Sequence, residues 1–253
     1  MAQPPVRDAD RRHRSIYLLP NAFTTAALFA GFYAVVQAMN NNFEGAAIAI
    51  FVAMVLDGMD GRVARLTNTQ SAFGEQYDSL SDMTSFGVAP ALVVYEWALH
   101  DLGRWGWLAA FVYVAGAALR LARFNANIAV VDKRFFQGLP SPSAAALVAG
   151  LVWLAVDNKL PISQPVMAWI AFALTMYAGI TMVSNAPFYS GKSFALGRSV
   201  PFWSILLVVA VFVFVSSDPP VVLFALFVIY GFSGWVLWLW RWQKAHKLKR
   251  SRL

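Results

Sequence analysis

The sequence predicts an all-α fold: a polytopic membrane helical bundle of about eight transmembrane helices, with both termini cytoplasmic. Three observations predict it. Of the 253 residues, 59% are hydrophobic and only 13% are charged, against about 25% charged in a soluble domain, so lipid must cover much of the surface. Apolar stretches of spanning length recur, and turn-forming residues close them. Lysine and arginine gather in alternate connections, the asymmetry that orients a membrane protein. The net charge of +7 belongs to this pattern of basic loops and does not call for nucleic acid. Cysteine is absent, which excludes a disulfide framework and any thiolate metal site.

The first span is expected at about 16–39. It follows the charged run RDADRRHR at residues 7–14 and is too long for the core of a cleavable signal, so it stays. Asn40, Asn41 and Asn42 mark a turn into the second span, about 44–66. The third, about 71–98, ends before Gly103, and the fourth runs from about 105 to 128. Leu139-Pro140 and Pro142 introduce the fifth, about 141–157, and Pro161 separates it from the sixth, about 164–186. Gly191 precedes the seventh, about 199–216, and Asp218-Pro219-Pro220 opens the eighth, about 220–242. No repeat or linker interrupts the chain, so 1–253 reads as one domain with a cytoplasmic arm over 1–15 and a basic tail over 243–253. With the N-terminus in the cytoplasm, 18 of the 20 Lys and Arg residues fall on the cytoplasmic side, leaving only Arg104 and Lys159 outside. The tail from Arg241 is placed on anionic headgroups, with Trp238, Trp240 and Trp242 at the interface.

One segment breaks the apolar pattern in an ordered way. Asp57, Asp60, Gly61, Ala64 and Arg65 end the second span, and Gly74, Asp78 and Asp82 begin the third. An unpaired Asp at the bilayer centre costs about 2.5–3.5 kcal/mol, so four of them need compensation. Asp57, Asp60, Gly61 and Ala64 lie three or four apart on one helical face, and Asp78 and Asp82 share a face of the next helix. A short connection makes these helices antiparallel neighbours, so the carboxylates converge. An all-carboxylate set suits a hard cation, Mg²⁺ or Mn²⁺, and two such ions balance four Asp charges while remaining receptive to a diphosphate. Gly61, Ala64 and Gly74 leave a groove where backbone can approach a bulky ligand. Arg65 can fork onto a phosphate, and Ser71 offers a hydroxyl at the groove's mouth.

The full spacing, D-x2-D-G-x2-A-R-x8-G-x3-D-x3-D over residues 57–82, resembles the signature of the CDP-alcohol phosphotransferase family at every defining position. Further segments resemble the serine-using branch of that family. They are Leu19-Pro20-Asn21 with Thr24, Ser85 to Pro90 (SFGVAP), Arg120 to Asn125 (RLARFN) and Phe136 to Pro142 (FQGLPSP). The resemblance implies a homodimer in the cell inner membrane, its active site facing the cytoplasm, that moves a phosphatidyl group from CDP-diacylglycerol to L-serine. It implies that Asp57 and Asp78 bridge two divalent ions, that Asp60 completes one, and that Asp82 completes the other and acts as catalytic base. The CDP-lipid would rest against Asn21, Thr24, Gly61, Ala64, Arg65, Ser71 and Gly74. A serine carboxylate suits an arginine fork, so Arg120 and Arg123, with Asn125 and Ser85, are the expected serine-binding residues. Alternative readings are a sister enzyme using glycerol 3-phosphate or inositol phosphate, whose acceptor would favour a denser basic pocket, and a transporter. No inverted repeat supports the transporter.

Overall fold

The structure, a computed structural model, describes residues 8–67, 69, 71–126, 135–157, 160–190 and 202–250. Arg7, Lys133, Arg134, Lys159, Lys192, Arg198 and Arg252, which enter the charge asymmetry, lie outside the described residues, as does Gly191.

Helices α1 (Asp8–Met39) and α2 (Phe43–Leu66) form a hairpin. Its turn falls on the asparagine run. Asn41 takes a left-handed φ of 58°, a conformation asparagine tolerates. Asn42 caps α2, its Oδ1 accepting from the Gly45 N–H at 3.1 Å. Ala27, Ala30, Ala34 and Ala38 are buried along one stripe of α1, and α2 answers with buried Ala46, Ala49 and Ala53. In lipid, such small side chains let backbones approach until dispersion holds them.

The third predicted span is one helical rod of changing pitch. α3 (Ala72–Asp82) passes through a π-helical turn (Met83–Val88) into α4 (Ala89–Val94). A second π-helical turn (Tyr95–Leu99) and a 3₁₀ turn (His100–Leu102) bring it to Gly103, at φ 55°. Pro90 explains the irregularity at the first turn. It has no N–H for the Phe86 carbonyl one turn back, and the Tyr113 hydroxyl donates to that carbonyl instead, at 2.9 Å.

α5 (Arg104–Ala126) and α7 (Gln164–Val183) cross through glycine: a Cβ on Gly116 would stand 2.4 Å from the Gly179 carbonyl oxygen. α6 (Ser141–Val156) is the most enclosed helix, packed on α2, α7 and the long α9 (Pro219–Arg250). α8 (Phe202–Ser217) packs chiefly on α9. The all-α expectation omits one element, a two-stranded antiparallel sheet. Its strands are β1 (Phe135–Gln137) and β2 (Pro187–Tyr189), with Phe136 opposite Phe188. α7 stops at Val183 rather than 186 because the chain turns there into this sheet, and α9 continues past the predicted 242 to Arg250.

Four of the described helical segments are long and apolar enough to cross a membrane: Pro20–Met39, Arg104–Ala126, Gln164–Val183 and Pro219–Lys244. Large apolar side chains such as Phe29, Phe111, Trp169, Phe212 and Ile229 remain exposed. A surface with that much apolar area belongs in lipid. The protein is a helical membrane protein.

Candidate active site

The site grows from α2 and α3. Asp57, Asp60 and Gly61 share a face of α2, and α3 carries Asp78 and Asp82 one turn apart. The start of α3 is fixed by Ser71, whose Oγ caps the helix by accepting from the Gly74 N–H at 3.0 Å. Convergence follows. Asp57, Asp60 and Asp78 each place one carboxylate oxygen so that all lie within 4.8 Å of one another. Asp82 stands outside that triad, beside Asp57. The Thr24 hydroxyl, from α1, donates to Asp60 Oδ2 at 2.8 Å and sets the orientation of that carboxylate.

These residues fit a divalent cation on two counts. Oδ1 of Asp78 and Oδ1 of Asp82 are buried and have no hydrogen-bond partner, a state that costs about 1–3 kcal/mol or more per group unless something ligates it. The donor set is entirely carboxylate oxygen, the chemistry preferred by hard cations.

Two cavities meet at the cluster and share Asp60, Gly61 and Asp78. One, of about 280 Å³, gathers all seven residues expected on the CDP-lipid side: Asn21, Thr24, Gly61, Ala64, Arg65, Ser71 and Gly74. A Cβ on Gly61 would meet nothing within 4 Å, so the missing side chain is open space in the groove. Arg65 folds back along its own helix, Nε donating to the Gly61 carbonyl at 2.8 Å.

The other cavity, of about 640 Å³, holds Asp57, Asp82 and Arg120. Arg120 is only 9% exposed. Its Nη1 donates to Ser141 Oγ at 2.7 Å. It attracts Asp82 through space, and no ion pair within 4.0 Å joins them among the described residues. The remaining wall includes Pro140, Ser143, Tyr189, Phe227 and Tyr230. Sequence reasoning missed the contributions from Ser143, Tyr189 and Tyr230. Phe136-Gln137-Gly138-Leu139-Pro140 was the nearest available signal, because Phe136 and Pro140 line the same space.

The other expected serine-binding residues do not line this cavity. Arg123 donates to the carbonyls of Gln137, Met182, Val183 and Ser184 and to Asn185 Oδ1, at 2.9–3.3 Å. It clamps the end of α7 and the strand β1 to the end of α5. Ser85 is fully buried, its hydroxyl donating to the Ala27 carbonyl at 3.1 Å, where α1 crosses close over it. Asn125 donates from Nδ2 to Ser79 Oγ at 3.0 Å and ties α5 to α3.

A model of the CDP-alcohol phosphatidyltransferase family matches residues 17–177. The chain belongs to this family. The match takes in every carboxylate of the cluster and Arg120, and stops short of β2 and α9. Individual relatives extend further. A Helicobacter pylori (strain J99) protein named CDP-diacylglycerol–serine O-phosphatidyltransferase is 35% identical over 227 residues, 87% of this chain and 92% of its own. Proteins of the same name from Mycobacterium tuberculosis (strain H37Rv) and Methanocaldococcus jannaschii are 38% and 32% identical over 184 and 183 residues. These alignments cover 70% and 72% of this chain, and 63% and 79% of theirs.

Proposed function

We propose that this member of the CDP-alcohol phosphatidyltransferase family transfers the phosphatidyl group of CDP-diacylglycerol to L-serine, giving phosphatidylserine and CMP. The observation that carries the reading is the arrangement around the carboxylates. A groove with the expected CDP-lipid residues and a cavity with a buried arginine meet at Asp60, Gly61 and Asp78. The names of relatives matched along most of the chain point to the same acceptor.

In this reading Asp57, Asp60, Asp78 and Asp82 hold two divalent ions, Mg²⁺ or Mn²⁺, which when bound neutralise the diphosphate and the departing CMP. Asn21, Thr24, Ala64, Arg65, Ser71 and Gly74 receive the CDP portion, and the acyl chains stay in the bilayer. Arg120 holds the serine carboxylate. Asp82 takes the proton of the serine hydroxyl as that oxygen bonds to the lipid-side phosphorus and the bond from phosphorus to the CMP oxygen breaks. General-base assistance of this kind is worth roughly 10²–10⁴ in rate. Arg123, Asn125 and Ser85 support this geometry by holding helix ends and the α1 crossing.

The same reading places the chain in the cell inner membrane as one domain of eight spans, both termini and the active site on the cytoplasmic side. Support comes from the distribution of Lys and Arg along the sequence. The resemblance to the serine-using branch supports a homodimer. Purified protein given CDP-diacylglycerol and Mg²⁺ or Mn²⁺ should release CMP with serine. It should release little with glycerol 3-phosphate or inositol phosphate. Release with either phosphate acceptor and none with serine refutes the assignment.

A further inference from the structure

We propose that Tyr230 is an acceptor-specificity residue, its hydroxyl oxygen accepting a hydrogen bond from the ammonium of the amino-acid acceptor whose carboxylate Arg120 holds. The assignment rests on the serine reading above and adds the group that recognises the other end of the zwitterion.

Tyr230 projects from α9 into the same cavity as Asp82 and Arg120, near enough to Arg120 for the two side chains to interact electrostatically. A phenol has one proton to give, and that proton is committed: the Tyr230 hydroxyl donates to the Tyr189 carbonyl at 3.0 Å. What remains on the oxygen is lone pair. It can accept from an ammonium, which has three donors and no acceptor. It has nothing to offer a second carboxylate or a phosphate. The cavity thus pairs a guanidinium fork, matched to an anion, with an acceptor-only oxygen, matched to a cation. A free amino acid carries both ends. The neighbouring backbone is tied to the bundle: the Tyr177 hydroxyl donates to the Gly231 carbonyl at 2.8 Å, and a Cβ on Gly231 would stand 3.0 Å from Leu147.

The location also suits a specificity role. The carboxylates and Arg120 come from residues 17–177, the segment common to the family, whereas Tyr189 and Tyr230 come from beyond it. The carboxylate end of the acceptor is thus met from within that segment, by Arg120, and the ammonium end from beyond it, by Tyr230.

The test uses the full-length purified protein in CDP-diacylglycerol mixed micelles, with serine as acceptor and 3-hydroxypropionate, which is serine without its ammonium, as competitor. Tyr230→Phe should raise KM for serine about tenfold or more, the scale of one charge-assisted hydrogen bond. The Ki of 3-hydroxypropionate and the KM for CDP-diacylglycerol should each move less than about twofold. A parallel rise in KM for serine and Ki for 3-hydroxypropionate overturns the proposal, because Tyr230 then only shapes the cavity through Tyr189. An unchanged KM for serine overturns it too. The wild type supplies a comparison that needs no variant: 3-hydroxypropionate should bind about tenfold or more weakly than serine, and equal affinity overturns the proposal. Wild-type protein inactive with serine but active with a phosphate-bearing acceptor would instead bring down the serine reading itself, along with this assignment.

Discussion

Replacing Gly61 by alanine should make the protein more stable and less active, and the structure supplies its own control. Gly61 lies within α2, where Gly→Ala is worth about 0.8–1.0 kcal/mol in helix stability. The new Cβ meets nothing within 4 Å, so no clash offsets that gain. The space it enters, however, belongs to both cavities at the carboxylate cluster. A methyl group there should oppose donor binding by about 1–3 kcal/mol, the usual penalty for overpacking, or roughly fivefold to 150-fold in kcat/KM for CDP-diacylglycerol. Gly58, three residues earlier on α2, has equally open surroundings and lines neither cavity. Gly58→Ala should show the same gain in thermal unfolding temperature in detergent and keep wild-type kinetics. Full activity in the Gly61 variant would refute the placement of the donor over Gly61. Equal loss in the Gly58 variant would assign the effect to helix stiffness instead.

Three further outcomes are expected. Asp57→Asn and Asp78→Asn should each cut turnover more than tenfold and weaken Mn²⁺ binding measured by calorimetry, with insertion and fold retained; a variant keeping over about a tenth of the wild-type rate, under about 1.4 kcal/mol of barrier, would remove that residue from the metal site. Arg120→Lys should raise KM for serine by about tenfold or more, since lysine keeps the charge and loses the fork. Arg123→Lys should instead lower thermal stability by about 1–3 kcal/mol, as several backbone carbonyls, two of them part-buried, lose their donor, and a selective serine defect there would reverse the two assignments. A reporter fused after Leu253 should be cytoplasmic and one inserted at Asn41 external; the opposite labelling would overturn the orientation.

Local signals in the sequence are met again in the structure where they act over a few residues. The left-handed Asn41 and the break at Gly103 follow from backbone chemistry that each residue carries alone. The aspartate spacing predicts a shared face, and the face forms. What the pattern hides depends on distant partners. Arg120 and Arg123 sit three apart on one helix and look interchangeable, but Ser141 and the cavity take one while the end of α7 takes the other. Strands of three residues are too short for any period to register, so β1 and β2 pass unseen. Tyr230 lies in an apolar run with no motif, and only packing on α6 and the bond to Tyr189 give it a place at the site.

The shared wall of Asp60, Gly61 and Asp78 has a stereochemical consequence. If the nucleotide lipid fills one cavity and the amino acid the other, as proposed, both substrates can be seated at once beside the shared wall. On that proposal the phosphatidyl group would change hands in a single displacement, without residing on the protein in between. A phosphorus atom made chiral in the donor would leave as product with its configuration inverted.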